Sequence, residues 1–354
     1  MSIGGLFTQR SLPQAGPFSC RDRLNQWGCL VDFFNVIFPI SGVQTNLLVP
    51  PLVALVVSFF TSMGGVSGAF LLLPFQMSCL NYTSPSVSGT NFIFNIVAIP
   101  SGVYRYIKEG RMAWPLTWVV IAGTLPGVFI GYYLRVMYLP DPRAFKLFVG
   151  CTLLYIGTRL LYEFTGKARE KTAANKALEK KFAERAKMMK QDQKARIAAG
   201  LPPEAVVKTI SVSLGRIEYE FWGERFSYPT MGMLLLAFVV GIIGGTYGIG
   251  GGAIIAPFCV AVFHLPVYTI AGAALMGTLI TSVAGVLFYS VIPSHGVSTA
   301  PDWALGFLFG IGGFVGIYLG ARFQKFVPQR YIKLVLGVII VGLAFRYISQ
   351  YFMP

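Results

Sequence analysis

Acidic side chains are scarce in this 354-residue chain, which holds 14 Asp and Glu against 29 Lys and Arg; charged residues make up 12%, about half the share of a soluble domain. Outside residues 165–228 the acids are Asp22, Asp32, Glu109, Asp141, Glu163 and Asp302, each at an expected helix end or interface. With no pair of carboxylates inside an apolar run, there is neither a proton relay nor a general acid–base couple to build. Histidine is scarcer still: His264 and His295 fall in short connections. The 5 cysteines form no CxxC pair and no metal-ligand spacing with them. No enzyme, no cofactor and no metal site is therefore expected. Residues 1–24 lack an apolar stretch, so a cleavable signal peptide is not expected either.

The chain is instead 55% hydrophobic, with 40 glycines. Its charge is uneven: residues 165–228 carry 14 Lys/Arg and 8 Asp/Glu, leaving an apolar remainder that suits lipid rather than water. The excess of basic residues reads as contact with anionic lipid headgroups on the cytoplasmic side, and nucleic acid is not expected as a partner. Five apolar runs lie near 47–62, 66–80, 84–106, 114–135 and 143–164, and five more near 229–245, 250–263, 267–290, 302–323 and 331–351. The first two of each set are short and separated by glycine clusters, Gly64-Gly65 and Gly244-Gly245-Thr246-Tyr247-Gly248. Each pair reads as a broken hairpin, either two short crossings or a re-entrant V.

The two sets read as copies. A shift of 183 residues carries Gly65 onto Gly248, Gly68 onto Gly251, Pro74 onto Pro257 and Gly89 onto Gly272. Basic residues mark opposite ends in the two sets. Arg105, Lys108 and Arg111 follow the third run of the first set, and its counterpart near 291–301 has none. The expected fold is thus an all-α polytopic membrane protein of two inverted-topology repeats, each a Gly-broken helical hairpin plus three spanning helices. The division is 1–46, an N-terminal interfacial amphipathic segment; 47–164, the first repeat; 165–228, a cytoplasmic basic insertion; and 229–354, the second repeat with an external C-terminus. Within the insertion, 167–199 reads as an exposed helix. The stretch that alternates at Ile210, Val212, Leu214 and then Ile217, Tyr219, Phe221 reads as a β-hairpin turning near Gly215. Its role would be docking or a homodimer contact.

The glycine segments are the sharpest functional signal. A helix restarting after Gly65, Ser67 and Gly68, or after Gly248, Gly250, Gly251 and Gly252, points unpaired N–H groups into the protein. Such ends attract anions. Polar side chains in the third runs, Thr90, Asn91 and Asn95 in one and Thr278 and Ser282 in the other, would line the same pocket, because polar groups in lipid need a partner. Arg105, Lys108 and Arg111 would steer anions to the cytoplasmic mouth. Arg135, Arg159 and Arg346 lie near run ends and read as snorkelling to headgroups.

These residues resemble the sulfite exporter TauE/SafE family. The likeness rests on GxGGGxxxxP, here Gly248 through Pro257, and its degenerate partner Gly65 through Pro74, where Ser67 and Ala69 replace two glycines. It covers roughly 47–164 and 229–354. The resemblance implies a multi-pass transporter in the cell inner (plasma) membrane, acting on sulfite, organosulfonates and related sulfur anions. Two rivals are a membrane-anchored scaffold or sensor working through the insertion, and a passive anion channel.

Overall fold

The computed structural model describes residues 34–64, 67–108, 112–162, 207–221, 223–263, 265–292, 298–323 and 329–352. Its helices are α1 (Val49–Gly64), α2 (Ala69–Cys79), α3 (Ser86–Ala98), α4 (Pro100–Lys108), α5 (Trp114–Tyr133) and α6 (Pro142–Tyr162), followed by α7 (Thr230–Tyr247), α8 (Gly252–Val262), α9 (Val267–Val291), α10 (Trp303–Phe323) and α11 (Gln329–Phe352). Among the described residues, six stretches are long and apolar enough to cross a membrane: α5 with its π-helical extension Leu134–Tyr138, and the greater part or all of α6, α7, α9, α10 and α11. The α1 and α2 helices are apolar but shorter.

Side-chain chemistry sets the boundaries. Asp141 accepts the Arg143 and Ala144 N–H groups at 3.2 and 3.4 Å at the start of α6. Asp302 accepts the Leu305 N–H at 3.1 Å at the start of α10. Two of the six sparse acids thus serve as helix caps, each satisfying N–H groups that no helical carbonyl reaches. The third run of the first half, expected as one span, is two helices. Pro100 has no N–H to continue the ladder, so α3 ends at Ala98 and α4 begins at Pro100, whereas α9 runs unbroken for 25 residues. Pro74 inside α2 likewise frees the Phe70 carbonyl. The Tyr247 hydroxyl donates to it at 2.9 Å, a bond that ties the two halves together.

Helix pairing is reciprocal between the halves. On α5, Gly123, Gly127 and Gly131 lie so close to the α7 backbone that a β-carbon at any of them would collide with it. On α10, Gly312, Gly316 and Gly320 do the same against Pro51, Leu55 and Phe59 of α1. Such small-residue seams let helix backbones pack where lipid offers no hydrophobic drive. The α5 helix of the first half and the α10 helix of the second therefore each lean on the first helix of the other half, and α3 crosses α9, where Gly285 faces the Phe92 ring. The α6 and α11 helices close the bundle through Gly150 and Gly157.

Among the described residues, two small sheets flank the helices. β1 (Asn35–Ile37) and β2 (Gln44–Asn46) pair antiparallel. Residues 35–37 and 44–46 of the expected interfacial segment are thus a hairpin, and its remaining part before residue 34 lies outside the described residues. Asp302 accepts from both the Ser41 N–H (3.1 Å) and the Ser41 hydroxyl (2.7 Å), anchoring this hairpin to α10. The second sheet has three antiparallel strands, β3 (Lys208–Val212), β4 (Arg216–Phe221) and β5 (Glu224–Pro229), one more than the expected hairpin. Ile217, Tyr219 and Phe221 face inward, but Ile210, Val212 and Leu214 are exposed. The Tyr219 and Thr269 hydroxyls share a 2.8 Å hydrogen bond that docks the sheet on α9. Burial raises the Tyr219 phenol above its usual range, so it stays protonated. The 167–199 helix lies outside the described residues.

Candidate functional site

The segment between α7 and α8 is built by glycine. Gly248 and Gly250 take φ of +86° and +79°, a left-handed backbone that a β-carbon strains. The Gly248 and Ile249 N–H groups both return to the Gly244 carbonyl, at 2.9 and 3.0 Å, ending α7. The chain then turns through residues 249–251, all buried, and α8 begins at Gly252, where the first N–H groups have no carbonyl within the helix to reach. Room is tight. A β-carbon on Gly248 would sit 2.6 Å from Ser88 Cα, one on Gly250 2.8 Å from Thr278 Cγ2, and one on Gly252 2.7 Å from Thr278 Oγ1.

Two helices clamp this turn. From α3, the Asn91 amide donates to the Gly248 carbonyl at 3.0 Å and to the Ala69 carbonyl at 3.3 Å, and the Asn95 amide donates to the Ile249 carbonyl at 3.1 Å. Asn91 thus bridges the glycine turn of the second half and the first residue of α2. From α9, Thr281 accepts the Gly251 N–H at 3.2 Å, and Thr278 returns its proton to the Ala274 carbonyl of its own helix. Once these bonds are made, Asn91 Oδ1, Asn95 Oδ1 and Ser282 Oγ remain buried with no hydrogen-bond partner. An oxygen at Ser282 would lie 3.2 Å from a β-carbon on Gly250, so this hydroxyl is directly over the turn.

The first half does not repeat this arrangement. Ser67 Oγ and Ser67 O take the Ala69 and Phe70 N–H groups at 3.3 Å each, and the Gly68 carbonyl takes those of Leu71 and Leu72 at 3.1 Å. The α2 start has spent these donors; in the 248–252 turn the Gly248 and Ile249 N–H groups return to Gly244, the Gly251 N–H is held by Thr281, and Asn91 and Asn95 hold the Gly248 and Ile249 carbonyls. Thr90, expected in the pocket, points elsewhere. Its hydroxyl contacts the Tyr82 hydroxyl (2.9 Å), the Ser86 carbonyl (3.0 Å) and the Asp302 N–H (2.9 Å), at the β1–β2 end of the molecule. One residue along a helix turns the side chain by about 100°, which separates Thr90 from Asn91. Lys108 is exposed at the end of α4, its ammonium 6.0 Å from the Tyr104 ring. Gly65, Arg111 and the Arg105 side chain lie outside the described residues.

Three residues join the picture that sequence reasoning left out of the pocket. Ser58 on α1 stands over Gly68 with its hydroxyl unpaired. Gln76 on α2 is fully buried with both amide atoms unpaired. Arg135 does not snorkel: it is 0% exposed, unlike Arg159, which is half-buried, and Arg346, which is exposed. A cavity of about 130 Å³ between α5 and α9, lined by Trp114, Thr117, Trp118, Ile121, Met276 and Ile280, opens on the apolar exterior, away from these polar groups.

Comparison with known proteins bears on what such a site does. The family model described as "Sulfite exporter TauE/SafE" matches residues 51–347. The "Probable membrane transporter protein YunE" of Bacillus subtilis (strain 168) is 23% identical over 287 residues, covering 79% of this chain and 89% of that protein. The "Probable membrane transporter protein YdhB" of the same organism is 32% identical over 98 residues, covering 27% of this chain and 37% of that protein. No solved structure matches.

Proposed function

Because this chain belongs to the sulfite exporter TauE/SafE family and is a multi-pass membrane transporter of that type, we propose that it exports small sulfur-containing anions such as sulfite or organosulfonates, bound at the Gly248–Gly252 turn. One observation carries the reading. A buried turn at a helix start is ringed by a free hydroxyl, Ser282 Oγ, and two free amide oxygens, Asn91 Oδ1 and Asn95 Oδ1. The helix start and the hydroxyl donate to an anion. The amide oxygens accept, so they favour an oxyanion that still carries a hydrogen, such as hydrogensulfite, over a fully ionised one. Glycine at 250 and 252 lets α9 pack directly on the turn, with Thr278 and the Ala274 carbonyl where β-carbons would otherwise stand.

The architecture is read as two inverted repeats, 47–164 and 229–354, with the α1–α2 and α7–α8 pairs as broken hairpins that meet at Asn91. The reciprocal seams support this, as does the offset of 189 residues that carries Gly123, Gly127 and Gly131 onto Gly312, Gly316 and Gly320. The chain sits in the inner membrane with 165–228 cytoplasmic. Lys108, with Arg105 and Arg111 beside it in sequence, attracts anions there. A negative-inside potential drives a monovalent anion outward with about 2.3 kcal/mol per 100 mV, so no coupling carboxylate is required.

Sulfite efflux from proteoliposomes tests the reading. Ser282→Ala removes an unpaired hydroxyl, breaks no bond within the protein and creates almost no cavity. Its KM for sulfite is expected to rise about tenfold, the loss of one hydrogen bond to a charged ligand, with melting behaviour like the wild type. Wild-type vesicles that pass no sulfur anion would refute the transport reading. An unchanged KM in Ser282→Ala would move the site away from the turn.

A further inference from the structure

We infer that Arg135 forms a second anion site, at the far end of the path that starts at the Gly248–Gly252 turn, and that the transported anion is its counter-ion. The inference rests on the transport reading for the identity of the anion, and on the structure for the place. Arg135 lies in the π-helical extension of α5 and is wholly buried. Its guanidinium contacts the Leu139 carbonyl, the Thr83 carbonyl at 3.0 Å and the face of the Phe145 ring, 3.6 Å from Cζ. None of these is a carboxylate, and Nε has no partner at all. Two carbonyl dipoles and a ring soften a buried positive charge but do not neutralise it. Charges buried in proteins are as a rule paired, and an ionisable side chain inside a membrane protein is a functional element by default. π-Helical turns recur at such places.

The position is also connected to the turn. Along α5, Thr124 packs on Gly251, the Gly131 carbonyl accepts the Thr246 hydroxyl at 3.2 Å, and Arg135 follows one helical turn later. Thr124 to Arg135 is about 16 Å of helix. On the facing side, the Ser88 hydroxyl donates to the Thr246 carbonyl at 3.1 Å and the Tyr289 hydroxyl reaches the Gly245 carbonyl at 3.4 Å. The same Tyr289 ring packs edge-on against Tyr132, 4.9 Å between centroids, three residues before Arg135. A line of polar groups therefore leads from the turn, past Ser88 and Tyr289, to a cation whose Nε–H has no partner. A fixed cation there offers the oxyanion a charge-assisted hydrogen bond as it leaves the turn. The bidentate fork suits an oxyanion better than an ammonium does.

Thermal melting of the purified full chain, titrated with sodium sulfite at constant ionic strength, tests this. Sulfite is expected to raise the melting temperature of the wild type. In Arg135→Gln the same rise should need at least tenfold more sulfite, and in Arg135→Lys, which keeps the charge but loses the fork, a shift of about threefold is expected. A purely structural Arg135 would give Arg135→Gln a melting temperature lower by the same amount at every sulfite concentration, and that parallel offset overturns the inference. So does a wild type that sulfite does not stabilise. If Arg135→Gln cannot be purified, an unshifted Arg135→Lys titration overturns it instead. The readout is separable from transport. Intact wild-type flux with an unshifted Arg135→Gln titration removes only the second site. Silent vesicles with a shifted titration remove only the transport reading.

Discussion

Asn91 holds two carbonyls with one amide, those of Ala69 and Gly248, and in doing so joins a helix start in the first half to a glycine turn in the second. Its neighbour on the same face, Asn95, holds Ile249. Replacing Asn91 with Leu keeps the number and branching of side-chain heavy atoms and leaves both carbonyls buried without that donor. This is expected to cost about 1–3 kcal/mol, read as a lower melting temperature of the purified protein, in contrast to the silent Ser282→Ala. The polar residues of this helix were legible in the sequence as a set, but their division of labour was not. Asn91 and Thr90 are adjacent, and which faces the glycine turn and which faces Asp302 depends on the rotation of α3. Arg135 was the harder case. Its place at a run end fits snorkelling, but the 80–85 connection, whose Thr83 carbonyl accepts from it, and Phe145 of α6 cover it. No local pattern encodes that cover.

At the scale of elements, apolar runs and glycine clusters carried most of the fold, because span length and helix breaking are local properties. The Pro100 break of the third run was visible as a proline and passed over. The third strand, β5, was missed because Glu224–Pro229 has almost no alternation, its burial coming from pairing with β4. The glycine seams make a sharp prediction. Gly127→Val and Gly316→Val should each prevent assembly, since a β-carbon at either meets the facing backbone (α7 or α1) and a helix pair cannot part without exposing its seam. Gly342→Val, on α11 with nothing within 4 Å, should survive unharmed. The amount of monodisperse protein after a heat step, followed by gel filtration, separates the three.

For the whole molecule, the proposed export of a monovalent anion makes the membrane potential the driving force to test. Sulfite efflux should accelerate when a potassium gradient with valinomycin makes the receiving side positive, and slow when it is reversed. A rate indifferent to the clamp would mean electroneutral exchange. Flux linear in sulfite up to high concentration would mean a channel rather than a carrier. What composition could not convey is how the halves meet: the 248–252 turn of the second half is held both by Asn91 and Asn95 of the first half and by Thr281 of its own.

The reciprocal seams also set a timetable for synthesis. Gly127 on α5 meets its partner surface around Gly241 on α7, and Pro51 on α1 waits for Gly312 on α10. At the usual pace of about 5–20 residues per second, the first contact is out of reach for roughly 6–23 seconds and the second for roughly 13–52 seconds. Throughout that interval the nascent first half lies in the bilayer with both seams uncovered. The insertion machinery must shelter them, or lipid must fill them temporarily, until the ribosome delivers the other half.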